Sequence, residues 1–234
     1  SNIIARAKGE LKRWWDAVEQ LRESSTPQAT DRKTIADYLI LTLMFGGRRT
    51  ETLSLTWANV DLRSKVVLFP KETTKGKRDH LIPFGPYANQ LLLQRHEANR
   101  QRDTPSDYVF NASRSGRTKK DGPPGAKTHI KEPKKAIASV TAISGIKFTP
   151  HDLRRTFGTI FAELPVSEFT VEKALNHAPS STAGKHYVHT RLEPLRENYI
   201  KFENSILEEA GVKIATSKQP KRRLKASEAK SVNI

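Results

Sequence analysis

The spacing of apolar residues predicts a chain made mostly of helices. They are predicted over 9–21, 31–45, 49–55, 86–100, 129–143, 151–163, 168–176, 181–189 and 193–210. The second half of the 31–45 helix is almost continuously apolar, which is typical of a helix buried at the centre of a domain. Gly46 and Gly47 follow directly and end it, because glycine is a poor helix former.

Two short apolar runs, 65–70 and 80–84, predict strands instead. The polar segment 71–79 between them contains Gly76 and predicts a hairpin turn. The expected fold class is therefore α+β and mainly helical, with a small antiparallel sheet on one edge. One domain is expected over residues 3–210, because no linker or internal repeat divides this range.

Composition narrows the partners of such a domain. The formal net charge of +16 favours a polyanion, and nucleic acid is the first candidate. Two segments are especially basic: the Gly- and Pro-rich loop 111–128 and the tail 211–234, which is predicted to be disordered. The chain has no cysteine, which excludes disulfides and thiolate metal sites and fits a reducing compartment. No apolar run reaches the roughly 20 residues of a membrane span, so a cytoplasmic, nucleoid-associated protein is expected.

Basic side chains recur where predicted elements begin or turn. Arg48 follows two glycines at a helix start, where the backbone allows a phosphate to approach and the helix terminus favours an anion. Glu51 lies three residues on, so Arg48 is alternatively an arginine in a surface ion pair. Lys75 lies at the hairpin tip, where it can reach a ligand or simply be solvated.

Two further pairs have suggestive spacing. His151 and Arg154 are three residues apart, so both project from one face of the first turn of a helix, although a helix cap with a surface arginine fits as well. His177 ends a predicted helix, and Tyr187 follows ten residues later, where a purely structural tyrosine is the alternative. A metal site at the neighbouring histidines 186 and 189 is not expected, because no carboxylate pattern accompanies them.

In this order the blocks resemble the catalytic domain of the tyrosine recombinase, or phage integrase, family. The resemblance runs from about residue 9 to residue 207. The blocks that carry it are Gly46-Gly-Arg48-Arg-Thr-Glu51-Thr-Leu-Ser-Leu-Thr-Trp57, Thr74-Lys75-Gly76 with Ile82-Pro83, His151-Asp-Leu-Arg154-Arg-Thr-Phe157, and Leu175-Asn-His177 with Tyr187.

The resemblance implies a site-specific DNA recombinase. Arg48 and Arg154 would bind the non-bridging oxygens of the scissile phosphate, and Tyr187 would attack phosphorus to form a 3′-phosphotyrosine. Lys75 would protonate the departing 5′ oxygen, and His151 would assist as the acid–base partner of the tyrosine.

The remaining implied roles are supporting ones. His177 would donate a hydrogen bond to the phosphate, and Glu51 would hold the first arginine block. Cations fixed around a phosphodiester stabilise the charge that develops in the transition state, so the reaction implied needs no metal, cofactor or ATP.

The resemblance also implies assembly. A homotetramer on double-stranded DNA attachment sites, a monomer without DNA, and accessory DNA-bending or directionality proteins are expected, with no membrane partner. The apolar stripe of the 193–210 helix is expected to dock on a neighbouring protomer. An N-terminal core-binding domain, which clamps DNA in such integrases, is expected to be absent from this chain.

Three alternatives remain open at this point. One is a DNA-binding domain of the same fold without catalysis, and another is a type IB topoisomerase. A ribosomal or other RNA-binding protein is the third. A prophage or genomic-island integrase is the preferred function.

Overall fold

The computed structural model of the chain describes residue 4 and the segments 9–24, 29–112, 129–131, 133–177 and 192–212. In these segments the helices are α1 (Glu10–Arg22), α2 (Ala29–Phe45), α3 (Arg49–Leu53), α4 (Pro86–Arg100), α5 (Lys134–Ser144), α6 (Pro150–Ala162), α7 (Glu168–Ala174) and α8 (Leu192–Ala210). The strands are β1 (Val60–Asp61), β2 (Val66–Phe69) and β3 (His80–Pro83), and a short 3-10 turn, Trp57–Asn59, precedes β1. None of the helices described is long and apolar enough to cross a membrane.

Most predicted helices are confirmed to within two residues at each end, and one begins later than predicted. The predicted 129–143 helix starts at Lys134, after Pro133 in the N-cap position. Upstream, His129 instead pairs with Asn111 in an isolated antiparallel bridge. The predicted 181–189 helix, nearly all of the 111–128 loop and nearly all of the 211–234 tail lie outside the described residues.

The predicted hairpin is confirmed as the β2–β3 pair of a three-stranded antiparallel sheet in the order β1-β2-β3. Its register pairs Val66 with Pro83 and Phe69 with His80. The strand β1 was not predicted, because its two residues are too short to show an alternating pattern. The sheet therefore holds the 70–79 turn at one side of the helical body.

The helix α2 occupies the centre of the core, as its apolar sequence predicts. From Ala36 to Phe45 every residue is buried, and α2 packs against both α1 and α6. A helix that is enclosed on all sides needs partners for its polar groups. Thr42 accordingly donates its hydroxyl to the carbonyl of Tyr38, 2.7 Å away.

The last helix packs into the core of the domain. The apolar stripe of α8, formed by Leu195, Tyr199, Phe202, Ile206 and Leu207, is buried within this chain, and its expected docking on a neighbouring protomer stays a prediction. The helix contacts α1 and α6, and its aromatic rings join those of α6. Helical periodicity predicts that one face is buried but does not tell what covers it.

Candidate active site

The first arginine block is built at the end of α2. Gly46 has a φ of +61°, and a Cβ there would lie 2.3 Å from the Phe157 ring, so only glycine fits. The turn places Arg48 at the N-cap of α3. The carboxylate of Glu51 accepts the Arg48 backbone N–H at 2.9 Å and its guanidinium Nη1 at 2.9 Å.

This pair is not the exposed one of the alternative interpretation. The Arg48 side chain is 26% exposed, whereas that of Glu51 is fully buried. A buried carboxylate that accepts two hydrogen bonds from one residue fixes that residue in place. Arg48 therefore presents a fixed cation at the start of α3.

The second arginine block begins at a capped helix. Thr149 and Asp152 form a reciprocal capping box, with the Thr149 N–H on Asp152 Oδ2 at 3.0 Å and the Asp152 N–H on Thr149 Oγ1 at 3.3 Å. Pro150 takes the first helical position, where its missing N–H costs nothing. The cap fixes the turn from which His151 projects into solvent and Arg154 projects into the domain.

Arg154 connects three separate elements. Its Nη1 donates to the Gly46 carbonyl at 2.7 Å, and its Nη2 donates to the Leu175 carbonyl after α7. Two backbone carbonyls thus hold the guanidinium, which still has N–H groups to offer a ligand because arginine carries five. Neither of these contacts neutralises its charge.

The end of α7 explains the third block. Asn176 adopts a left-handed φ of +48°. The His177 N–H bonds to the Glu172 carbonyl at 2.8 Å, and the Asn176 N–H bonds to the Lys173 carbonyl at 3.0 Å. This is the Schellman ending of a helix, in which asparagine replaces the usual glycine. It turns the chain so that His177 lies beside Arg154.

The second and third blocks meet at an open cavity of about 430 Å³, which Arg48 does not line. Three sequence-predicted residues line it, namely His151, Arg154 and His177. Gly158 lies in its wall, where a Cβ would come within 3.2 Å of Leu175, so the small residue allows α7 to pass close to α6. The cavity is large enough for a phosphate group and part of a ligand around it.

Lys75 is exposed on the turn between β2 and β3, and it does not line this cavity. The turn is ordered by its own polar groups. The Lys71 N–H donates to Asp79 Oδ1 at 2.7 Å, and the buried Thr74 donates its hydroxyl to the Arg78 carbonyl at 2.7 Å. Tyr187 lies outside the described residues, so its position relative to the cavity remains a prediction.

The electrostatics of the cavity favour an anion. Burial, together with the positive charge of Arg48, lowers the pKa of Arg154 to about 10, and the negative charge of Glu51 opposes this shift. Arg154 nevertheless stays charged at neutral pH. Partial burial lowers the pKa of His177, with added repulsion from both arginines, so its ring is neutral and can donate one N–H. An anion between the arginines would relieve their repulsion.

One residue of this region was missed by the sequence analysis. His80, at the start of β3, is 5% exposed, and its ring lies 6.2 Å from that of Phe69. Burial lowers its pKa to about 3, and the charges of Arg154 and Arg48 contribute to the shift. A neutral buried imidazole therefore lies near the two cations. In β3 the buried His80 is followed by the exposed Leu81, and this alternation indicates that His80 faces inward. Only the tertiary fold brings His80 close to the arginines.

Comparison with known proteins identifies the family. The model of the phage integrase family matches residues 11–193. The chain belongs to the phage integrase family. Integrase-family membership leaves the ribosomal or RNA-binding alternative without support.

Similar proteins agree with this assignment. The prophage integrase IntF of Escherichia coli K12 is 32% identical over 209 residues, which are 88% of this chain and 40% of that protein. The crystal structure of the XerA recombinase matches with a TM-score of 0.56 at 22% identity, over 86% of this chain and 65% of that one.

A third match is the XerH site-specific recombinase, solved after cleavage on its palindromic difH substrate. It has a TM-score of 0.55 at 19% identity, over 83% of this chain and 51% of that one. The structural likenesses establish the tyrosine recombinase catalytic fold. The chain spans well under two thirds of the length of IntF, at 40%.

Proposed function

We propose that this integrase-family domain breaks and rejoins DNA strands at a phosphodiester bound by Arg48 and Arg154. The observation that carries the proposal is the placement of Arg154, held by the carbonyls of Gly46 and Leu175 beside an open cavity with its charge uncompensated. A planar guanidinium can bind two phosphate oxygens at once. The Glu51 carboxylate forms a salt bridge with Arg48, so Arg48, Arg154 and Glu51 together keep a net positive charge.

The chemistry proposed is a transesterification. The hydroxyl oxygen of Tyr187 attacks phosphorus, the bond from phosphorus to the 5′ oxygen breaks, and a 3′-phosphotyrosine forms. Lys75 supplies the proton that the 5′ oxygen takes up as it leaves. The reverse attack, by a 5′ hydroxyl of another strand, reseals the DNA and releases the tyrosine. Because the ester conserves the energy of the broken bond, the cycle consumes no ATP.

The histidines complete the assignment. His151, exposed at the first turn of α6, accepts the proton of the attacking tyrosine. His177, with its pKa lowered by burial, donates a hydrogen bond to a phosphate oxygen. Donors that are already in place when negative charge develops stabilise the transition state more than the ground state.

The other tyrosines support Tyr187 as the nucleophile. Four of the five tyrosines lie in the described residues, and none of the four lines the cavity. Tyr38 and Tyr199 are fully buried, and Tyr199 donates to the Ala174 carbonyl at 3.3 Å. Tyr87 donates to Glu19 at 3.3 Å, while Tyr108 packs against His129 with ring centroids 5.3 Å apart.

The biological role proposed is integration or excision of a prophage or genomic island. IntF is named a prophage integrase, and XerH was captured on a palindromic DNA substrate. A palindrome presents two equal half-sites, which suits a tetramer of this domain on two duplexes, acting at the nucleoid. The domain alone, without DNA, is expected to be a monomer.

The decisive experiment traps the covalent intermediate. The protein is incubated with sheared DNA, quenched with detergent, and analysed for protein-linked DNA, which is then sequenced. Tyr187→Phe should abolish the adduct, whereas the matched variant Tyr108→Phe should retain it. An adduct that persists in Tyr187→Phe would reject the assigned nucleophile.

Two outcomes would favour the other candidates. Relaxation of a supercoiled plasmid without site preference would indicate type IB topoisomerase activity. Salt-sensitive DNA binding with no adduct, even after fusion to an N-terminal DNA-clamping domain, would indicate a non-catalytic DNA-binding domain of the same fold.

A further inference from the structure

A second basic cavity lies between α2 and α4. This cavity, here called the α2–α4 pocket, has a volume of about 390 Å³. Its charged lining consists of four cationic side chains and one carboxylate: Arg22, Lys33, Arg95, Arg102 and Asp37. Its volume falls in the range of small-molecule sites.

Two of the four cations share the one carboxylate. Arg22 Nε donates to Asp37 Oδ1 at 2.7 Å, and Arg95 Nη1 donates to Asp37 Oδ2 at 2.9 Å. Asp37 is 1% exposed, so a single buried carboxylate faces two guanidinium groups. Positive charge in a partly buried setting is costly without a counter-charge. Glu19, which does not line the pocket, adds a second carboxylate 3.7 Å from Arg22 Nη1, so the two floor arginines are compensated and the uncompensated charge lies at the rim.

These groups are held rigidly before any ligand arrives. Arg95 also donates to the Val109 carbonyl from Nε at 3.0 Å and from Nη2 at 2.7 Å. Arg22 donates from Nη2 to Gln94 at 2.9 Å and retains further N–H groups. Preorganised donors lower the entropy cost of binding an anion.

The rim adds two more cations. Lys33 is exposed and Arg102 is half-buried, and no carboxylate of the described residues forms a salt bridge with either. Arg102 contacts the side-chain amide of Asn111. A flexible lysine opposite fixed guanidinium groups is a common arrangement for binding phosphate.

This pocket is remote from the cavity of the candidate active site. Along α2, Lys33 precedes Gly46 by thirteen residues, or about 20 Å at 1.5 Å per residue. The cavity at Arg154 borders the far end of this helix. None of the residues that line one cavity lines the other.

We propose that the α2–α4 pocket binds phosphate groups, with two adjacent phosphates matching the two positive charges that Lys33 and Arg102 leave uncompensated. Such groups have two sources: a free diphosphate-type anion, or the backbone of DNA. The proposal does not depend on the recombinase chemistry above, because it concerns only binding at the opposite end of α2.

Inorganic pyrophosphate is the probe, titrated at 150 mM salt into the intact ¹⁵N-labelled protein and followed by amide chemical shifts. Saturable shifts are expected in residues 33–37 and 94–102. Arg102→Gln and Lys33→Gln should each weaken the apparent affinity about tenfold, the loss typical of one charge-assisted contact.

The matched control is Arg100→Gln, which removes the same charge two residues before Arg102, at the end of α4. The Arg100 side chain is 71% exposed and does not line the pocket. The proposal is overturned if pyrophosphate does not saturate these amides, if it shifts only the surroundings of Arg154, or if Arg100→Gln weakens binding as much as Arg102→Gln. Equal melting temperatures of the variants exclude misfolding as the cause.

A competition experiment separates the two sources of phosphate. A short DNA duplex is added to the pyrophosphate-bound protein. Displacement from residues 33–37, with weaker duplex binding by Arg102→Gln, assigns the pocket to the DNA backbone. Simultaneous binding of both assigns it to a free phosphorylated ligand. Either result supports a phosphate site.

Discussion

Substitution of Gly46 tests how tightly the two arginine blocks are joined. An alanine at this position must adopt a φ of +61°, and its Cβ must lie 2.3 Å from Phe157 Cδ1. The left-handed conformation costs roughly 1–2 kcal/mol for a residue with a Cβ. Carbon atoms prefer a separation of about 3.5–4.0 Å, so the ring or the turn must move by more than about 1 Å.

The ring of Phe157 has little room to move. Its centroid lies 4.7 Å from that of Phe202, 5.0 Å from that of Phe161 and 5.6 Å from that of Tyr199. Overpacking of such a core typically costs about 1–3 kcal/mol. Gly46→Ala should therefore lower the free energy of unfolding by roughly 2–5 kcal/mol in total.

The control is Gly145→Ala. Gly145 has a φ of +74°, but a Cβ there would meet nothing within 4 Å. Gly145→Ala should lower the free energy of unfolding only by the cost of the left-handed conformation, roughly 1–2 kcal/mol. Urea denaturation of both variants measures the difference. Equal losses within about 0.5 kcal/mol would refute the clash with Phe157, since surface effects of that size are common.

A double mutant sharpens the test. Phe157→Leu should partly relieve Gly46→Ala, so that the two changes together cost less than their sum by about 1 kcal/mol or more. The Gly46 carbonyl also accepts a hydrogen bond from Arg154, so Gly46→Ala should reduce the covalent DNA adduct beyond its effect on folding.

Three further predictions concern single contacts. Glu51→Gln removes the carboxylate that compensates Arg48 and should lower the free energy of unfolding in urea by about 1–3 kcal/mol. This is less than for a fully buried ion pair, because Arg48 is partly solvated. A loss below about 0.5 kcal/mol would contradict the prediction. Asn176→Ala should cost about 1 kcal/mol because φ is +48°, whereas Asn176→Gly should cost nothing or stabilise. Burial raises the pKa of Glu203 above 4.5, so the folded state binds this proton more tightly than the unfolded state does. The protonated carboxyl therefore stabilises the fold at low pH, and this stabilisation is lost as the pH rises from 4.5 through the raised pKa. Unfolding curves at several pH values should show this loss in the wild type and not in Glu203→Gln.

Local signals predicted the elements well. Gly46, Pro86 and Gly211 stand where the predicted helices end or begin, because each acts through its own backbone. The hairpin was equally local, since two apolar runs flank a polar turn. In contrast, β1 is too short to carry a periodic signal.

Contacts between distant parts of the chain could not be predicted in the same way. The position of His80 near the arginines depends on how the sheet packs against the helices. The apolar stripe of α8 predicts a buried face, but the sequence does not tell which elements cover it. The motif order suggested which residues belong together, and the fold brings His151, Arg154 and His177 to one cavity. Lys75 and Tyr187 remain predictions as parts of that site.

The bond from Arg154 to the Gly46 carbonyl spans 108 residues of sequence. Contacts of such long separation close a large loop and therefore form late in folding. The second anchor, at Leu175, lies further along the chain still, so a polypeptide on the ribosome has the Arg48–Glu51 pair long before it has a fixed second arginine. During synthesis the second anchor of Arg154 can thus form only after α7 has emerged, and a chain truncated before α7 would hold this guanidinium by the Gly46 carbonyl alone.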